Sequence, residues 1–149
     1  MIDMVNHPAH YKSTDGSEVI DIIERATEDL RGIEAYDAGN MIKYICRWKW
    51  KNGIQDVEKC RWYARHLMNC EKINGLIHRK RTVKPEFSEF AAAATVSFTS
   101  QLSGNEYLYT SDILFNALMW WYEPDRHLGN VIRNCDMLIE HLRKNETKL

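Results

Sequence analysis

The sequence of 149 residues lacks the glycine-rich loops that bind phosphates in the common nucleotide-binding folds. Its seven glycines lie at positions 16, 32, 39, 53, 75, 104 and 129, so neither GxxxxGK[ST] nor GxGxxG occurs. This absence excludes a Walker-type kinase and a dinucleotide-binding fold at the level of motifs. There is also no HExxH motif and no carboxylate cluster typical of a two-metal centre, so no metal site is predicted.

Long apolar runs and paired cysteines are missing as well. No apolar run is long enough to cross a membrane, and "MIDMVNHPAH" lacks the basic and apolar regions of a signal peptide. The four cysteines form no CxxC pair and no zinc-binding quartet; they are Cys46, Cys60, Cys70 and Cys135. We therefore expect reduced, mostly buried thiols in a cytoplasm and no membrane partner.

Charge is divided unevenly along the chain, although the formal net charge is only -1. Between Asn40 and Lys84 there are twelve Lys and Arg residues against three Asp and Glu residues, which gives this segment about +9. The remainder of the chain is correspondingly acidic. Such segregation indicates either an anionic partner for the basic segment or ion pairs between basic and acidic faces of the protein itself.

Apolar residues recur at helical spacing in four or five segments, so the sequence predicts a mostly α-helical bundle of helix-turn-helix units. Ser17 is a candidate N-cap for the first helix, and Gly32 is a suitable end. The second helix is predicted from Asp37 to Lys51, with Trp48 in the core, and the third from Gln55 to Asn74. Two further helices are predicted in "SDILFNALMWWYE" and "NVIRNCDMLIEHLRKN", with a turn over residues 124–129 between them.

The segment from Phe87 to Thr110 is almost uncharged and ambiguous. Its alanines favour a helix, whereas "TVSFT" favours a strand, so a minor β segment in residues 95–110 stays open. In addition, "CRWYARHL" and "CDMLIEHL" have cysteine, histidine and leucine at identical offsets. This match suggests that the C-terminal half is a degenerate repeat of the first half.

Two helical faces carry the candidate chemistry. Helix two places Asn40, Lys43, Arg47 and Lys51 on one face, and helix three places Asp56, Lys59, Tyr63 and His66 on another. Two antiparallel helices with a short loop would bring these faces together, where cations bind phosphate and aromatic rings stack on a base. The alternative is that both are ordinary solvated faces, but such faces normally mix charges of both signs.

The N-terminal "VNHPAHY" adds His7, His10 and Tyr11, and the ring of Pro8 fixes the backbone between the two histidines. We expect an ordered arm that packs against the basic face of helices two and three. There, one histidine would act as a proton donor or phosphate ligand.

Four motifs between Val5 and Leu67 resemble a phage family of small proteins that includes the nucleotide kinase of T7-like phages: N-H-P-x-H-Y, G-N-x-I-K-Y-x-x-R, K-x-G and D-x-x-K-x-x-x-Y. The resemblance implies a family core over residues 1–81, a helical extension over residues 82–149 and a location in the host cytoplasm. It also implies phosphoryl transfer to a deoxynucleoside monophosphate without a Walker loop. A nucleoside triphosphate would be the donor, no other cofactor is implied, and a need for magnesium stays open.

Residue by residue, the resemblance implies two groups of site residues. Those with catalytic roles are His7, His10, Lys43 and Arg47. Those that bind substrate are Tyr11, Asn40, Tyr44, Lys51, Asp56, Lys59 and Tyr63.

Two other functions compete with a nucleotide kinase. A non-enzymatic protein that sequesters a nucleotide or a host signalling molecule would need the same basic pocket without an acid–base group. A nucleic-acid-binding protein would use the basic segment as its footprint, but the overall pI of about 6.6 argues against it. The uncharged segment and an exposed "LMWWY" also predict a homo-oligomer.

Overall fold

The computed structural model describes residue 16 and residues 18–147, which form six α-helices. The helices are α1 (Val19–Thr27), α2 (Gly32–Arg47), α3 (Ile54–Ile73), α4 (Pro85–Thr99), α5 (Gly104–Met119) and α6 (Pro124–Thr147). Short 3-10 turns, Trp48–Trp50 and Trp120–Tyr122, follow α2 and α5. No strand occurs in these residues, which confirms the predicted mostly α-helical bundle. Ser17 and the arm with His7, His10 and Tyr11 lie outside the described residues.

Two local predictions are wrong. Residues 95–110 are not a β segment, because they end α4 and begin α5. The threonines of α4 satisfy their hydroxyl groups within the helix: Thr95 donates to the carbonyl of Ala91 (2.8 Å), and Thr99 donates to the carbonyl of Thr95 (2.6 Å). Residues 124–129 are not a turn, because α6 begins at Pro124, and proline suits the first turn of a helix.

The six helices form two three-helix units, α1–α3 and α4–α6, whose sequences can be aligned with each other. We call this alignment the register. Four residues of the first unit recur 72 positions later: Thr27, Leu30, Gly32 and Trp48 correspond to Thr99, Leu102, Gly104 and Trp120. Both glycines begin a helix with positive φ, +54° and +56°, a conformation that side chains with a Cβ disfavour. In each unit the tryptophan opens the 3-10 turn and is buried. The common ancestry of the two units stays a prediction.

The units pack through equivalent residues. α3 lies against α6, and the Sγ atoms of Cys60 and Cys135 are 3.9 Å apart at fully buried positions. Contact between equivalent residues is expected when two units are related by an approximate two-fold axis. One hydrophobic core therefore includes residues of both units, with Met41, Ile45, Leu67, Ile113, Leu114 and Leu138 among its largest buried side chains.

The tryptophans have clear places in this core. Trp48 is buried as predicted, and its indole N–H donates to Thr110 Oγ1 in the second unit (3.1 Å). The prediction that "LMWWY" is exposed is wrong, because Leu118, Met119 and Trp120 are buried and the last two residues are half-buried. The register explains this, since Trp120 occupies the same core position as Trp48. All four cysteines are free thiols, and three of them are buried, as expected.

Several basic residues of the Asn40–Lys84 segment pair with acidic residues of the second unit. Lys49 Nζ contacts Glu106 Oε1 (2.7 Å), and Arg61 Nη1 contacts Asp136 Oδ1 (2.7 Å). Ion pairs within the protein thus account for part of the charge segregation. None of the described helices is long and apolar enough to cross a membrane.

Candidate functional site

The 3-10 turn after α2 reverses the chain and lays α3 along α2, which brings the two predicted faces together. We call the resulting surface the α2–α3 face; its residues are Tyr36, Asn40, Lys43, Tyr44, Arg47, Asp56, Lys59, Trp62 and Tyr63. At one end, Arg47 forms two hydrogen bonds to Asp56, from Nε to Oδ2 (3.3 Å) and from Nη2 to Oδ1 (3.2 Å). Arg47 is only 7% exposed and Asp56 is 0% exposed, so this ion pair is buried and not a solvated pair.

Three cations surround the ring of Tyr44. Lys43 Nζ lies 4.4 Å from the ring centroid, Arg47 Cζ lies 4.7 Å from it, and Lys59 Nζ lies 5.2 Å from it. Within the described part of the chain, no carboxylate lies within ion-pair distance of either lysine. The negative face of the aromatic ring offsets some of the repulsion between these charges. An anion placed here would meet two ammonium groups that have no acidic partner in the described residues.

Aromatic rings extend the face away from the cations. Tyr63 stacks on Tyr44 with centroids 6.0 Å apart and planes inclined by 13°. Trp62 is 57% exposed, and its indole stacks on the imidazole of His66 at 5.1 Å. The pKa of Tyr63 is raised to about 12, mainly by a hydrogen bond with Tyr36 and secondly by burial, so its phenol stays protonated near neutral pH. The planes of Trp62 and Tyr63 are inclined by 80°, so the exposed indole of Trp62 is the ring face on which a planar group could stack.

The other predicted site residues contribute less. The side-chain amide of Asn40 donates to the carbonyl of Tyr36 (2.9 Å), so one of its donors is used within its own helix. Lys51 is exposed in the connection to α3. The predicted contributions of His7, His10 and Tyr11 concern residues outside the described part of the chain.

A second polar group of residues, which the sequence analysis did not identify as a site, follows the aromatic rings. Asp37 Oδ2 accepts a hydrogen bond from His66 Nδ1 (2.6 Å), and Cys70 Sγ lies 3.9 Å from the same nitrogen. We call these three residues the Asp37 cluster. Asp37 is 1% exposed, and its Oδ1 has no hydrogen-bond partner in the part of the chain that the structure describes. The i, i+4 spacing of His66 and Cys70 was visible in the sequence, but only the fold adds Asp37.

Two glutamates lie behind this cluster. Burial, and then the neighbouring carboxylate of Glu34, raise the pKa of Glu71 to about 7. The positive charge of Arg79 partly offsets this increase in pKa, because its Nη1 lies 3.7 Å from Glu71 Oε2. The guanidinium of Arg79 also lies over Trp121, 4.1 Å from the ring centroid. Burial first, and then the charges of Asp37, Glu71 and Glu34, also raise the pKa of Cys70, so its thiol is protonated at neutral pH.

The equivalent surface of the second unit lacks the cations of the α2–α3 face. With the offset of 72 residues, Asn116 and Met119 replace Tyr44 and Arg47 of α2. In α3 the offset is 75 residues, as for Cys60 and Cys135, so Val131 and Asn134 replace Asp56 and Lys59. Asn116 Oδ1 accepts hydrogen bonds from His127 (2.8 Å) and Asn130 (3.1 Å), and Asn134 donates to Asp112 (2.6 Å). Burial lowers the pKa of His127, which keeps it neutral. The second unit thus retains the packing without the cations, which leaves the α2–α3 face as the stronger site.

The comparisons with known proteins give one match, over the N-terminal part of the chain. Residues 5–65 match the model of a protein family of unknown function, DUF3310, which covers about two fifths of the chain. No curated protein and no solved structure is significantly similar to the chain. The matched residues include α1, α2 and the first half of α3, whereas His66 and Cys70 lie just beyond them. The N-terminal segment of the chain is therefore similar to an uncharacterised family of small proteins.

Proposed function

We propose that this protein binds a nucleoside phosphate on the α2–α3 face. The observation that carries the proposal is the convergence of Lys43, Arg47 and Lys59 on the Tyr44 ring, with no acidic partner for either lysine in the described residues. A phosphate group satisfies two ammonium groups at once, and stacked rings next to them suit a base. Neither property is expected of a surface that only meets water.

The side chains have different roles in this proposal. Lys43 and Lys59 contact the phosphate as compact charges. Arg47 is held by Asp56, so it contributes its charge and orients the Tyr44 ring from the buried side. The exposed ring of Trp62 stacks on the base, and Tyr63, whose plane is inclined by 80° to that of Trp62, meets the base with its edge.

The finer form of the proposal is a nucleotide kinase. The γ-phosphoryl group of a nucleoside triphosphate would move to an oxygen of a deoxynucleoside monophosphate, which yields two diphosphates. Support for this step comes from the resemblance of the N-H-P-x-H-Y and G-N-x-I-K-Y motifs to the phage nucleotide kinase family. Cations without acidic partners fit such a reaction, since its catalysis rests on positioning and charge stabilisation.

Sequestration of a nucleotide without catalysis is the second candidate. The buried Arg47–Asp56 pair favours it, because an arginine that already has a bidentate carboxylate partner is less available to a moving phosphoryl group. Nucleic-acid binding is weaker as a candidate, since Lys49 and Arg61 of the basic segment pair with Glu106 and Asp136.

One experiment separates these candidates. Nucleoside mono-, di- and triphosphates are titrated into the full chain by calorimetry, and the same mixtures are assayed for phosphoryl transfer with magnesium. A kinase binds a triphosphate and a monophosphate and forms two diphosphates, whereas a sequestering protein binds one nucleotide and forms no product. Trp62→Ala should weaken binding about fivefold or more by removing about 1–3 kcal/mol of stacking, and Trp50→Ala, at a tryptophan 51% exposed outside the face, should not weaken it. If no nucleotide binds, the proposal is wrong.

A further inference from the structure

The Asp37 cluster combines three different ligand types at one point between α2 and α3. The carboxylate oxygen of Asp37, a ring nitrogen of His66 and the sulfur of Cys70 all lie within 4.8 Å of one another. Asp37 belongs to α2, and His66 and Cys70 lie one helical turn apart on the facing side of α3. Rigid helices thus supply all three donors, which is the arrangement that fixes a coordination geometry.

A hydrogen bond between Asp37 and His66 does not account for the whole cluster. Asp37 is buried, and among the described residues nothing forms a hydrogen bond with Oδ1, one of its two carboxylate oxygens. A buried charged oxygen without a partner costs free energy, and such groups are normally paired or bound to a metal. A cation bound by both oxygens of this carboxylate would satisfy Oδ1, so the unpartnered oxygen supports a cation site independently of the spacing of the three residues.

The geometry also argues against a cysteine nucleophile. In a catalytic triad the nucleophile and the carboxylate contact opposite nitrogens of the histidine. Here, Asp37 Oδ2 and Cys70 Sγ both approach Nδ1, at 2.6 Å and 3.9 Å. Groups that converge on one side of the ring can share a metal ion but cannot relay a proton through the imidazole.

We propose that Asp37, His66 and Cys70 form a binding site for a zinc-class divalent cation. Thiolate, imidazole and carboxylate together suit Zn²⁺, whereas Mg²⁺ and Ca²⁺ require oxygen ligands. Around tetrahedral Zn²⁺, with Zn–N and Zn–O distances of ~2.0 Å and a Zn–S distance of ~2.3 Å, oxygen and nitrogen donors lie about 3.3 Å apart, and nitrogen and sulfur donors lie about 3.5 Å apart. The 3.9 Å between Nδ1 and Sγ is close to this value, and the shorter Oδ2–Nδ1 distance widens when the metal replaces the Nδ1 proton.

The site keeps one position open. Three protein ligands leave the fourth corner of the tetrahedron for water or another molecule, as in catalytic zinc sites. His66 is partly exposed and stacks on Trp62, so the open position faces the aromatic end of the α2–α3 face. The site does not depend on the proposed nucleotide binding, because none of its ligands is a nucleotide-binding residue.

Cobalt(II) tests the proposal on the full chain under reducing conditions, because thiolate ligation gives a near-ultraviolet charge-transfer band. We expect the band to saturate at one equivalent and to disappear when Zn²⁺ is added. Cys70→Ala should abolish it, and His66→Gln should weaken Co²⁺ affinity at least about 100-fold, since changes to outer-shell partners alone cost 10–100-fold. His78→Gln, at an exposed histidine outside the cluster, should bind like the original chain.

Three results would overturn the site: no band in the original chain, a band that persists in Cys70→Ala, or a band lost on substitution of His7 and His10 but not of His66. If the Cys70 and His66 variants do not fold, the original chain supplies the answer. Zn²⁺ should slow the alkylation of Cys70 by iodoacetamide, followed by peptide mass spectrometry. An unchanged rate of alkylation would contradict the proposal.

Discussion

Arg47 illustrates what the sequence could and could not establish at the scale of single residues. The periodicity placed Arg47 and Asp56 on faces that meet, and the structure brings them into a bidentate contact. The sequence did not indicate that both side chains are buried, because a charged residue on an amphipathic helix is normally assigned to the solvated side. Arg47→Ala therefore cannot be treated as a surface substitution with little effect on stability.

The second unit suggests how to test the buried ion pair. Arg47→Ala should lower the free energy of unfolding by about 3–5 kcal/mol, because it leaves Asp56 charged and buried without its partner. The double variant Arg47→Met and Asp56→Val copies the Met119 and Val131 of the second unit, and it should recover most of this loss. Urea unfolding measures both. The assigned pairing would be contradicted if Arg47→Ala hardly changed the free energy of unfolding, or if the double variant lost as much of it as Arg47→Ala does.

At the scale of elements, helical period predicted five of the six helices, and the errors have physical causes. Proline at position 124 resembles a helix breaker in a sequence, but it is favourable at the start of α6. The threonines of "TVSFT" favour strands in isolation, yet α4 accepts them because their hydroxyls bond to carbonyls one turn earlier. The T-x-x-L-x-G-x-E pattern at residues 27–34 and 99–106 was present in the sequence and would have revealed the shared register.

Gly53 controls the connection between α2 and α3. Its φ of +57° and ψ of -128° are tolerated by glycine alone, so Gly53→Ala should destabilise the protein by about 1–3 kcal/mol through backbone strain. Gly129→Ala is the matched control. Gly129 is helical, and an added Cβ would meet only the flexible end of Arg133, so this change should stabilise by up to about 1 kcal/mol. Thermal unfolding measures the stability of both variants. Equal changes in stability for Gly53→Ala and Gly129→Ala would show that alanine causes no backbone strain at position 53.

At the scale of the whole molecule, two units share one core, and the face with cations belongs to the first. The sequence indicated the charge segregation but left its cause open. The fold assigns part of it to ion pairs between units and leaves Lys43 and Lys59 without described acidic partners. The arrangement of the second unit could not be predicted in detail, because its packing depends on contacts such as Cys60 with Cys135, 75 residues apart.

Assembly into a homo-oligomer stays a prediction. The buried "LMWWY" no longer supports it, but Val96, Tyr107 and Leu108 on α4 and α5 are exposed apolar side chains that a second copy would cover. Light scattering at micromolar concentration should give at least twice the chain mass of 17.6 kDa. A mass of one chain would contradict the prediction, and Leu108→Glu should shift an oligomer towards that mass.

The most direct test of the α2–α3 face compares two lysines of the same helix. Lys59 lies beside Tyr44, whereas Lys72 is exposed near the end of α3, away from the face. Calorimetric titration of the nucleotide that binds the original chain should show a loss of about 1.5–3 kcal/mol for Lys59→Ala, which is about tenfold or more in Kd, and no loss for Lys72→Ala. Equal affinities for the two variants would contradict the placement of the phosphate on this face.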